Sequence, residues 1–218
     1  MFQLTVNSPK VDGFSVVLIK STPQDYAVVC GLWPAAGGLP TTVSIDVLCA
    51  YASNFQGEFQ NCLTISAGIS SVPLVQGNIY EFNGTMFVQG GPTPSDFAYG
   101  LRNGGQAPIT CGFCQDVTVN GQMAKPPVYV QHLAPGSTTY FPTNDLFWLG
   151  VGQFLGLKDP QPGLLLSTSI IQAALESKSS QGCVATLGPF TPVDFSQAQS
   201  WVANYEPTSN SFQLQPSS

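Results

Sequence analysis

The chain has 218 residues, 43% hydrophobic and 8% charged, with six Lys and Arg against twelve Asp and Glu and a formal net charge of −6. Six scattered cations cannot follow a phosphate backbone, which excludes nucleic acid as a partner and disfavours an anionic membrane surface. Catalysis built on charged groups has little material, so folding rests on apolar and aromatic surfaces joined by turns rich in the 22 Gly and 18 Pro.

In chain order, the opening MFQLTVNSPKVDGFSVVLIK lacks a basic leader followed by an unbroken apolar core. That predicts a cytoplasmic chain, or the mature form of a secreted one. Short runs of Val, Ile, Thr, Phe and Tyr predict strands at 2–6, 14–19, 26–32, 42–50, 63–66, 79–82, 85–89, 116–120, 127–133, 146–151, 164–169 and 183–187. The longest apolar runs, such as 65–75, are broken by Gly, Ser and Pro well short of the ~20 residues that span a membrane.

In IYEFNGTMFV, Asn83-Gly84 predicts a two-residue type I′ turn that sets Phe82 opposite Thr85 and Tyr80 opposite Phe87. Tyr80, Phe82 and Phe87 would then share one face. Asn83-Gly84-Thr85 is also a glycosylation triplet on an exposed tip, should the chain be secreted. Two helices are predicted against this background, one over 169–176 (SIIQAALE) and one starting at Asp194 or Ser196 with Ala198, Val202 and Tyr205 at helical spacing. The expected architecture is all-β, a single-domain β-sandwich or distorted barrel with one or two short helices over 1–205, then a loosely ordered tail at 206–218.

A chain of this length buries roughly 70% of its unfolded surface, so its core needs no disulfide support. Cys30, Cys49 and Cys62 lie in or near apolar stretches, where a thiol packs as a small hydrophobe. Cys111 and Cys114 form CGFC, a redox pair or half a metal site in other settings. With no second CxxC, ordinary thiols or disulfides to distant partners are expected. The carboxylates are dispersed, with no EF-hand loop or close acidic pair, so spacing leaves metal binding open.

His132, the single histidine, alternates onto the face of Val128 and Val130 in VYVQHL, while Tyr129 and Gln131 face the other way. The chain has no GxSxG elbow, and GVGQFLG at 150–156 lacks the spacing and following helix of a dinucleotide loop. The remaining functional vocabulary is aromatic. TTYFPTNDLFWLGVGQF concentrates rings, and Tyr129, His132, Tyr140 and Trp148 are the expected lining of an apolar aromatic pocket for a small ligand. No catalytic residue is assigned.

The segments CGFCQDVTVNG and PGSTTYFPTNDLFWLGVGQF resemble the pink chromoproteins of mushroom fruit bodies, over the whole chain and without a diagnostic motif. That resemblance implies a non-covalently bound aromatic pigment of indolone type. The expected function is therefore binding of a small aromatic molecule. A carbohydrate-binding fungal lectin and an enzyme using His132 as general acid or base are the alternatives. A low-charge β surface also allows a homo-oligomer.

Overall fold

The computed structural model describes residues 1–20, 26–94, 98–142, 145–155, 161–169, 171–172 and 183–217. These form β1 (Phe2–Asn7), β2 (Lys10–Lys20), β3 (Tyr26–Ala36), β4 (Thr41–Ser53), β5 (Ile69–Pro73), β6 (Asn78–Phe82), β7 (Phe87–Pro92), β8 (Ala98–Asn103) and β9 (Ile109–Val119). The second half adds β10 (Gln122–Ala124), β11 (Pro127–Leu133), β12 (Thr138–Pro142), β13 (Leu146–Phe154), β14 (Leu164–Ser167), β15 (Val184–Leu187), β16 (Thr191–Asp194), β17 (Ser200–Glu206) and β18 (Ser211–Pro216).

The strands assemble into three sheets, which corrects the expected sandwich or distorted barrel with short helices. The large sheet runs β10-β9-β4-β1-β17-β18, with β11 also on β9 and β5 on β4. The second runs β14-β3-β2-β13-β15 with β16 on β13, and the small one runs β12-β8-β6-β7. In the small sheet, β6 and β7 fall on the strands expected at 79–82 and 85–89, whereas β8 and β12 were not expected. All three nevertheless feed one core: Leu4 and Ile45 from the large sheet, Val16 and Leu18 from the second, Tyr80 and Leu101 from the small one.

The run VVLI in β2 is apolar without interruption because both faces of its sheet are covered. Val16 and Leu18 enter the shared core, while Val17 and Ile19 join Leu164, Leu166, Val184 and Leu187 in a cluster on the other face. A third cluster gathers Cys49, Tyr51, Cys114 and Val130, with Tyr26, Phe55 and Phe59 at its edge.

The helix expected from Asp194 or Ser196 is a turn followed by a strand. The Asp194 carboxylate accepts from the Ser196 backbone N–H and hydroxyl (2.9 and 2.6 Å) and from Gln197 Nε2 (2.9 Å), fixing the turn. The chain then extends as β17, paired in parallel with β1 and antiparallel with β18. Ladder partners on both sides outweigh a helical spacing of three residues. The tail expected to be loose supplies the outer partner, and its Phe212 is buried in the shared core. Of the helix expected over 169–176, Ser169, Ile171 and Gln172 have helical backbone, and Ile170 and 173–176 lie outside the described residues. No helix among the described residues is long and apolar enough to cross a membrane.

The type I′ turn forms at another Asn-Gly. Asn120 and Gly121 take φ of 47° and 82° between paired Val119 and Gln122. At Asn83 the side chain intervenes: its Oδ1 accepts from the Thr85 and Met86 N–H groups, both at 3.0 Å, and from the Thr85 hydroxyl at 2.9 Å. That local network widens the loop and shifts the register, so Phe82 faces Phe87 and Tyr80 faces Gln89. Tyr80, Phe82 and Phe87 still enter the core together.

Candidate functional site

Register across the large sheet builds the neighbourhood of the lone histidine. Ser53, the last residue of β4, pairs with Thr110 of β9, and Thr110 pairs with His132 of β11. The buried Thr110 hydroxyl lies 2.9 Å from His132 Nδ1, which leaves Nε2 as the ring nitrogen for a ligand. A bulge between Pro127 and Tyr129 breaks the expected alternation: Val128 and Tyr129 both reach the shared core, whereas Val130 turns to the third cluster. His132 follows Val130 on that side and is exposed.

The chain leaves β4 with the Ser53 hydroxyl accepting from the Phe55 N–H at 3.2 Å, and the following loop carries two aromatic rings back over the sheet. Tyr26 pins it, donating its hydroxyl to the Phe59 carbonyl at 3.0 Å. Phe59 stacks on His132 with centroids 4.0 Å apart and planes 9° apart. Phe55 lies 6.2 Å from Phe59 at 13° and 6.4 Å from His132 at 19°. Phe55, Glu58, Pro108, Ile109, Thr110 and His132 line an open groove of about 330 Å³ beside this platform. That volume lies at the lower end of the range of small-molecule sites.

The four residues expected to line one pocket occupy separate places. Tyr129 is buried in a ring cluster, 4.0 Å and edge-on from Phe141 and 6.1 Å from Phe113. Tyr140 is 47% exposed on the small sheet, while its neighbour Phe141 points into the core. Trp148 packs from β13 against the cluster behind the second sheet. Only His132 faces a described cavity. Phe55, Phe59 and Thr110 were missed. The signal for the first two was two phenylalanines within the polar stretch NFQGEFQN, where a solvated loop has no use for them.

The cysteines contribute packing and one crosslink. Cys62 is joined to Cys183, so the free-thiol expectation holds for Cys30 and Cys49 and is corrected for Cys62. Cys111 and Cys114 are free and point to opposite faces of β9, one into the shared core and one into the third cluster, which removes CGFC as a local redox pair. Among the described residues no group of three or more His, Cys, Asp or Glu converges to hold a metal. Burial pushes the Cys30, Cys111 and Cys114 thiols up to about 12, and it also raises Cys49 although the Lys125 ammonium lies 3.8 Å from its sulfur. Thiolate is the reactive form. A disulfide-exchange thiol titration at pH 8 is expected to find no fast-reacting group in the native protein and all four free cysteines after denaturation. A prompt native equivalent would contradict this burial.

No protein-family model, no curated protein and no solved structure matches the chain.

Proposed function

We propose that this protein binds a small aromatic molecule non-covalently and without turnover, at the ring platform beside His132. The observation that carries the reading is the near-parallel arrangement of Phe55, Phe59 and His132 at a groove with an apolar wall. A flat ring gains by offset stacking on such a surface, and His132 Nε2 supplies one polar contact to orient a carbonyl or N–H. The resemblance of two segments to fruit-body chromoproteins makes an indolone-type pigment the occupant to look for first.

The test is the absorption spectrum and native mass of protein purified from its source. The expected result is a visible or near-ultraviolet band and a matching mass excess, both lost on denaturation with release of an extractable small molecule. Phe55→Ala and His132→Ala are each expected to weaken binding of an added aromatic probe such as indole about two- to tenfold, the worth of one ring contact. A colourless protein with the mass of its bare chain and no affinity for indole at millimolar concentration would end this reading.

A further inference from the structure

A second cleft, of about 560 Å³, opens where the second sheet meets the β17–β18 hairpin of the large sheet. Its chemistry is divided by side. Phe14, Val151 and Leu187 present an apolar floor, and Tyr205, Thr208 and Asn210 of the hairpin present hydroxyls and an amide along the rim. Among the described residues no Asp, Glu, Lys, Arg or His lines it.

The rim is held in shape by its own contacts. Asn210 sits at φ 51°, and its Oδ1 accepts the Tyr205 hydroxyl. Gly188 opposite has no side chain to hold the hairpin away: a Cβ there would lie 3.0 Å from both Asn210 Nδ2 and the Asn210 carbonyl. With Oδ1 occupied, Nδ2 is the donor left for a ligand. Beneath the rim the Thr186 hydroxyl, also of the lining, is buried with no hydrogen-bond partner.

We propose that this cleft is a recognition site for a neutral saccharide, separate from the His132 platform. A pyranose has an apolar C–H face and an edge of hydroxyls, the same division the cleft shows. With no cation in the lining, a sialylated, sulfated or phosphorylated sugar has no counter-charge. A purely apolar guest would leave the Thr208 hydroxyl and the Asn210 amide desolvated and unpaired, which disfavours it.

The test is a glycan array carrying neutral and acidic oligosaccharides, followed by calorimetry on the best neutral sugar. Neutral glycans are expected to bind and acidic ones not. Asn210→Gly keeps a residue that tolerates positive φ while removing the amide, and Thr208→Val removes a hydroxyl at constant shape. Each is expected to weaken the sugar about three- to tenfold, and Phe55→Ala is expected to leave it unchanged. Thermal melts identify any variant that has lost its fold, and the other variant then carries the test. No binding of any neutral glycan, a preference for charged glycans, or unchanged affinity in the folded variants would overturn the proposal.

Discussion

Phe113→Ala is expected to lower the unfolding free energy by about 3–5 kcal/mol, the usual cost of deleting a buried aromatic ring. The ring sits where the large and small sheets meet, with Phe141 of β12 at 4.4 Å, Tyr99 of β8 at 5.8 Å and Tyr129 of β11 at 6.1 Å. Its surroundings have little freedom to collapse into the space. Next to it, an added Cβ at Gly112 would overlap the Tyr129 carbonyl oxygen, so β9 and β11 already approach as closely as backbone allows. Urea denaturation followed by tryptophan fluorescence measures the change, and a loss below about 1 kcal/mol would mean that the two sheets do not depend on this junction.

Removing the crosslink with paired Cys62→Ala and Cys183→Ala is expected to cost about 2–5 kcal/mol. The bond joins positions 121 residues apart, so its loss frees a long loop in the unfolded chain. It also loosens two packed segments, because Cys183 is buried in the cluster behind the second sheet and Cys62 packs against it. The measurement is the urea midpoint of the double variant against the parent under non-reducing conditions. An unchanged midpoint would show that packing alone fixes these segments. The chain is long enough to build a core without staples, so the folded state is expected to persist at a reduced margin.

The β character was legible wherever apolar residues followed a strand's period or ran unbroken through a doubly covered sheet, as in β2, β11 and β13. Three readings failed for physical reasons. Spacing at 198, 202 and 205 fits a helix, but β1 and β18 offer ladder partners that no local pattern reveals. Asn83-Gly84 carries the composition of a type I′ turn, yet the Asn83 carboxamide prefers to cap its own loop, and the same dipeptide at Asn120-Gly121 makes the tight turn instead. The tail lacks apolar bulk apart from Phe212 and Leu214, and two residues suffice once a strand edge is waiting.

Within the candidate site, His132 could be singled out because it is the lone histidine in an apolar strand. Its partners could not. Thr110 reaches it through strand register, and Phe55 and Phe59 through a loop separated from it by more than seventy residues. Tyr140 and Trp148 illustrate the converse: a cluster of aromatics along one segment is split between two sheets as soon as that segment folds.

The uniqueness of His132 also provides the most direct measurement. A proton NMR spectrum contains one imidazole signal set, free of assignment ambiguity, and titrating the protein with indole reads the platform alone. Stacking of the probe on the rings is expected to move the His132 Hε1 resonance upfield in a saturable way, with the half-saturation concentration raised about two- to tenfold in Phe55→Ala. A resonance that stays fixed while indole binds elsewhere, or through the whole titration, would contradict the assignment of this groove as the aromatic-ligand site.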